Sequence, residues 1–214
     1  MNSGLWKAPA RTLAEWCWRY PGRGYGGRFA AWLEGRELAP YDSFGNGAAM
    51  RVSPAGFLAS SLDEALSMAR RVTEVTHNHP EGLKGAAATA HAIFLARQGT
   101  NAGEIRVAVE SAYGYDLSMT VDQIRPGYRF NETCQETVPQ ALVCALGATG
   151  FEDAIRNAIS IGGDSDTVAA IAGLWHSQRH CRGGAFASAA RDAFSVGETL
   201  REGWRCFAGC LRFE

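Results

Sequence analysis

The chain has 214 residues, 46% of them apolar and 20% charged, with a formal net charge of −1. This length carries one domain with a sizeable core, or at most two small ones, and the composition is ordinary for a soluble globular protein. Near-neutral charge with scattered arginines excludes bulk attraction to nucleic acid or an acidic membrane. No run of about 18 apolar residues marks a transmembrane helix, and the opening "MNSGLWKAPARTLAEW" is too polar for a signal peptide. The six cysteines (Cys17, Cys134, Cys144, Cys181, Cys206, Cys210) follow no disulfide framework and read as free thiols in a reducing cytoplasm.

The elements read as helix after helix. Leu13, Trp16, Cys17 and Tyr20 recur at helical spacing until "PGRGYGG" breaks the pattern. That glycine-rich stretch lacks the lysine of a phosphate-binding P-loop and any preceding strand, so it reads as a turn. Residues 28–34 read as a short helix. "ELAPYDSFGNGAAMRVSPAG" reads as a loop with one helical turn over 48–52. Ser61 and Glu64 have the spacing of a capping box ahead of an apolar stripe from Leu62 to Val75. After "NHPEG" come an alanine-rich helix ending at Gly99 and a further helix in "NAGEIRVAVESAYG". Residues 118–136 read as an irregular connection, "ETVPQALVCALGATG" as a short helix, and "FEDAIRNAISIGG" as a helix closed by Gly162. The sum is roughly seven helices and no strand alternation, an all-α fold in one domain over 1–214. Abundant alanine and glycine suit close helix–helix approach in a compact multi-helix orthogonal bundle.

Four stretches carry candidate chemistry. In "SIGGDSDTVAAIAG", Asp164 and Asp166 would point about 200° apart on a continuous helix, but Gly162 and Gly163 make a continuous helix improbable. At a loop-to-helix junction the two carboxylates can converge beside the Thr167 hydroxyl. Three hard oxygens suit magnesium or manganese. The alternative is that one aspartate caps the following helix. In "YDSFGNGAAMR", Gly45-Asn46-Gly47 offers a bend and backbone N–H groups as an anion cradle, with Phe44 placed to stack on a base; the alternative is an ordinary turn. In "THNHPEG", His77 and His79 could meet a phosphate or a metal, or simply bond to backbone and water. Finally, His176, His180 and Cys181, with Cys206 and Cys210, allow a zinc site whose spacing fits no standard finger.

Taken together these stretches resemble the ADP-ribosylglycohydrolases related to the dinitrogenase-reductase-activating glycohydrolase. The matching residues are Gly45 to Val52 with Pro54, Thr76 to Gly82, Gly85-Ala86, Glu136 to Leu142, Phe151 to Arg156, and Gly162 to Thr167 leading to Ala172-Gly173. They cover about residues 8–174. The resemblance implies an all-α fold with a dinuclear magnesium (or manganese) centre. It implies hydrolysis of the glycosidic bond between ADP-ribose and a protein side chain or related acceptor. It makes Asp164, Asp166 and Thr167 metal ligands. It places Gly45, Asn46, Gly47 and Met50 at the ligand, with the loop on the diphosphate, Phe44 beside the adenine and His77 towards the distal side. The partners implied are ADP-ribose or an ADP-ribosylated protein.

The sequence departs from that pattern twice. The family's initial Gly-Asp-x-x-Gly helix and Asp-Asp-Thr segment, with the remaining metal ligands and the catalytic carboxylate, have no counterpart here. The expectation is an N-terminally truncated domain with a half-built metal centre, no identified catalytic carboxylate, and exposed core surface that favours self-association. The tail 175–214 ("WHSQRHCRGG" onward) reads as divergent. A hydrolase, a non-catalytic ADP-ribose-binding module and an inactive fragment are the readings that follow.

Overall fold

The computed structural model describes residues 7–35 and 37–180. These form α1 (Lys7–Arg19), α2 (Gly27–Glu34), α3 (Gly47–Met50), α4 (Ser53–Leu58), α5 (Leu62–Thr73), α6 (Pro80–Gln98), α7 (Ala102–Tyr113), α8 (Val121–Ile124), α9 (Cys134–Leu146), α10 (Phe151–Ser160) and α11 (Ser165–His180). Among the described residues there is no strand, only an antiparallel bridge between Gly45 and Thr133. The all-α expectation holds. No helix among them is long and apolar enough to cross a membrane. Cys181, Cys206 and Cys210 of the zinc expectation, and most of the divergent tail, lie outside the described residues, as do the side chains of His176 and His180.

Helix α6 is the axle. It packs against α3, α4, α5, α7, α9 and α11. Its sequence is apolar on all sides, the signature of a helix buried all round, and Gly82, Gly85, Ala86, Ala88, Ala90, Ala92 and Ile93 are buried. Small residues set how near its neighbours come. A Cβ on Gly56 of α4 would lie 2.7 Å from both the Ala90 carbonyl oxygen and Ile93 Cβ. One on Gly85 would lie 2.8 Å from Cys134 Sγ of α9, and one on Gly173 of α11 would lie 2.7 Å from Ile155 Cδ1 of α10. Gly56→Ala is therefore expected to lower stability by about 1–3 kcal/mol through overpacking, read as a fall in urea midpoint with an unchanged slope. Around α6 one large core gathers Val52, Ile105, Val109, Leu117, Val138, Leu142, Val168 and Ile171. A smaller one, containing Ala10, Ala14, Trp32, Leu33 and Val75, joins α1 and α2 to the chain just past α5.

The structure has more short helices than the sequence announces. Pro54 falls at the start of α4, where its missing N–H and fixed φ favour a helix, so it begins one inside the expected loop. Within the expected irregular connection, Thr120 Oγ1 accepts from the Gln123 N–H (3.3 Å) and Gln123 Oε1 from the Thr120 N–H (2.8 Å), a full capping box on α8. At α5 the box is half made. Ser61 Oγ accepts from the Glu64 N–H, but Glu64 Oε2 accepts from the Ser60 N–H (2.7 Å) instead of Ser61's.

Candidate active site at the Gly45-Asn46-Gly47 loop

The loop is built by close approach. Asp42 adopts a left-handed φ of 56°, which short polar side chains tolerate, and its N–H donates to Asn78 Oδ1 (2.8 Å). Gly82, on the first turn of α6, lets the chain come down onto it: a Cβ there would sit 2.8 Å from the Ser43 carbonyl oxygen. On the other side the Asn46 N–H donates to Glu132 O (2.7 Å) and the Cys134 N–H to Phe44 O (2.9 Å). The loop is thereby clamped between α6 and the start of α9.

Asn46 is the hub. It is 7% exposed. Its Nδ2 donates to Asp164 Oδ2 at 2.7 Å and to Thr137 Oγ1 at 3.1 Å, with Asn131 O at 3.4 Å. One amide thus ties the loop to the aspartates 118 residues away.

The aspartates sit at the loop-to-helix junction, where Gly162 (φ +77°) and Gly163 (φ +67°) turn the chain left-handed between α10 and α11. The Asp164 and Asp166 carboxyls face each other within hydrogen-bonding reach. Burial, then the bond it donates to Asp166, holds the Asp164 pKa above its usual range. The bond from Asp164 pulls Asp166 below its own, helped by the backbone N–H of Thr167. The Thr167 hydroxyl, on a buried side chain, bonds to Asp164. The Asp164 carbonyl accepts from the Val168 N–H (3.0 Å). Asp166, the second residue of α11, keeps its carboxylate on first-turn backbone N–H groups, and Asp164 turns its carboxyl to Asn46 and Thr167.

Two carboxylates and a hydroxyl fit one face of a hard divalent cation in donor type. Among the described residues no group of three or more His, Cys, Asp and Glu side chains that could hold a metal ion assembles.

Beneath the loop lies a feature that sequence reasoning passed over. Arg51 donates from Nε to Gly47 O (2.7 Å), from Nη1 to Thr76 Oγ1 (3.0 Å) and from Nη2 to His77 Nδ1 (3.3 Å). Thr76 Oγ1 lies 2.7 Å from the same His77 nitrogen. The signal was a lone cation inside the small, apolar "GAAMRVSPAG", a costly place for a charge without a purpose. No carboxylate pairs with Arg51 among the described residues.

The other expected residues separate. His77 is 5% exposed. His79 instead caps α6, its Nδ1 accepting from the Glu81 N–H (3.1 Å), with the Phe44 ring 5.2 Å away. Phe44 and Met50 are exposed on either side of the loop, at 38% and 42%. The Gly45 N–H is spent on Ser43 Oγ (3.2 Å), so with Asn46's it faces inward and the cradle is less bare than the sequence suggests. Cys134 donates from Sγ to Gly45 O (3.2 Å), and burial pushes its thiol up to about 12, which leaves a structural thiol in place of a nucleophile.

Burial, with Arg51 and Arg28, drives the His77 pKa down to about 3 from an ordinary 6.5. Between those values the unfolded chain binds the extra proton. The stability is full above the unfolded value and is lost as pH falls towards the folded one, at up to about 1.4 kcal/mol per pH unit. Urea unfolding across that range should show wild-type stability falling more steeply than that of His77→Gln, the difference vanishing near neutrality.

Comparison with known proteins bears on the family and the fold. The family model described as ADP-ribosylglycohydrolase matches residues 2–180. The ADP-ribosylhydrolase ARH3 of Homo sapiens is 26% identical over 176 residues, covering 61% of this chain and 48% of that protein. The chain therefore spans about half the length of this curated relative. A solved structure titled ADP-ribosylglycohydrolase-related protein complex superposes with a TM-score of 0.58 at 25% identity, covering 80% of this chain and 69% of that one. With its helices, its glycine-asparagine loop and its paired aspartates in the matched span, the chain belongs to the ADP-ribosylglycohydrolase family.

Proposed function

We propose that the protein hydrolyses the N- or O-glycosidic bond joining ADP-ribose to a protein side chain or related acceptor. The observation that carries this reading is the 2.7 Å bond from Asn46 to Asp164, which sets a loop underlain by an arginine beside a pair of carboxylates. An ADP-ribosyl ligand has matching ends, an anionic diphosphate and a ribose rich in hydroxyls.

Arg51 supplies positive charge below the loop, and Phe44 offers an exposed ring face to an adenine. Asn46 fixes the direction of Asp164. Asp164, Asp166 and Thr167 would hold magnesium or manganese. Such an ion, when bound, supplies Lewis-acid polarisation of ligand oxygens and a water of lowered pKa. Cys17, Cys134 and Cys144 are free thiols, which supports a reducing compartment such as the cytoplasm. Exposed Trp18 and Tyr20 at the end of α1 support self-association, which sedimentation velocity reads directly.

The absence of a third acidic or imidazole partner beside Asp164 and Asp166 among the described residues favours a second reading, binding without turnover. Incubation with proteins carrying N-linked and O-linked ADP-ribose separates the two. Release of free ADP-ribose with magnesium, lost in Asp164→Asn, supports the hydrolase. Binding without release at any metal concentration supports the second reading.

A further inference from the structure

His77 Nδ1 faces two donors. A guanidinium cannot accept a hydrogen bond, so at the Arg51 Nη2 contact of 3.3 Å the imidazole nitrogen must be the acceptor. Thr76 Oγ1 receives from Arg51 Nη1 at 3.0 Å, which leaves its own proton for His77 Nδ1 at 2.7 Å. Both contacts demand a lone pair on Nδ1, and the ring proton therefore resides on Nε2. That nitrogen points up at the loop: Cβ atoms placed on Gly45 and Gly47 would lie 3.3 and 3.5 Å from it. Neither position carries a side chain that would cover the N–H.

We propose that Arg51 is a positioning residue, which holds His77, directly and through Thr76, as the uncharged Nε2–H tautomer and presents that N–H between Gly45 and Gly47 to an anionic oxygen of the ligand. The nature of the ligand rests on the ADP-ribose reading above; the tautomer does not. The charged groups acting on His77 are Arg51 from the end of α3 and Arg28 from α2, and the Tyr41 ring lies 6.2 Å away. Among the described residues no carboxylate acts on it. Protonation at Nδ1 would set an N–H against the guanidinium, so the arrangement keeps a neutral donor where a free histidine would switch charge. It also accounts for two loop N–H groups being turned inward: the donor comes from below.

Nitrogen-15 NMR of histidine-labelled protein tests this without ligand. In the wild type, His77 should show an unprotonated Nδ1 and a protonated Nε2, unchanged from about pH 5 to about pH 8. In Arg51→Met the Nδ1-protonated form should appear at the acid end of that range, as the pKa rises from about 3 while burial still holds it below the ordinary 6.5. ADP-ribose affinity should fall about tenfold and become pH-dependent. Arg51→Lys, which keeps a donor, should restore part of the tautomer signal. A proton on Nδ1 in the wild type overturns the proposal, as does titration of wild-type His77 in that range; neither result needs a variant that folds. Thr76→Val, which removes one of the two donors, is the milder variant and should raise the Nδ1-protonated population. Inorganic pyrophosphate and ADP-ribose are then added to the wild type. Shifts of His77 Nε2 with both support the proposal. A shift with pyrophosphate alone supports it while the ADP-ribose reading fails. No shift with either overturns the donor role.

Discussion

Asn46→Ala is expected to weaken ADP-ribose binding by about 10- to 100-fold, because a buried bond to a charged group is worth roughly 1.5–3 kcal/mol. The mechanism is specific. The amide is 7% exposed and reaches Asp164 and Thr137 at once. Its removal frees Asp164 to turn away from the loop and takes the donor from the Thr137 hydroxyl, which keeps only its bond to Asn131 O (3.2 Å). Calorimetry reads the affinity, and urea unfolding should record a stability loss of about 1–3 kcal/mol. Asn46→Asp should be worse for both, since it sets a third carboxylate against Asp164 where the wild type has a donor. Equal affinity in wild type and Asn46→Ala would mean the loop and the aspartates are not one site.

Gly163→Ala is the substitution expected to cost most stability, about 2–4 kcal/mol from backbone strain and overpacking together. At φ +67° the backbone disfavours any side chain, and a Cβ would sit 2.6 Å from Tyr128 Cε1 and 3.0 Å from Arg129 O. The tyrosine ring must move, and Asp164 follows on the next residue. Gly162→Ala is the matched control. Its φ is +77° but nothing lies within 4 Å of the added Cβ, so strain alone, about 1 kcal/mol, is expected. Chemical denaturation of the pair separates strain from clash. Equal losses would show that the Tyr128 contact carries no energy.

Sequence reading reached the long helices because their evidence is local. Capping residues such as Ser61, apolar spacing, and the glycines after α6 and α10 act within a few residues. It missed α4 and α8 for the same reason: six and four residues are too short for a period to show, and Pro54 serves at a helix start as well as in a loop. At the site, the convergence of Asp164 and Asp166 followed from two glycines that forbid a continuous helix. The link from Asn46 to Asp164 was not legible, because it crosses 118 residues and depends on where α9 and α11 pack. Arg51 was visible but unread. Its meaning lies in Thr76 and His77, brought beneath the loop only when α6 docks, and no spacing along the chain encodes that. The paired histidines looked alike in "THNHPEG" and diverge in space, one buried under the loop and one capping a helix.

The central claim is that the Gly45-Asn46-Gly47 loop and the Asp164, Asp166 and Thr167 junction form one site for ADP-ribose. Calorimetric titration of the purified chain with ADP-ribose, first with magnesium and then with chelator, tests it most directly. The expected result is saturable binding in magnesium that weakens with chelator and is lost in Asp164→Asn. A folded sample that binds no ADP-ribose under either condition would contradict it.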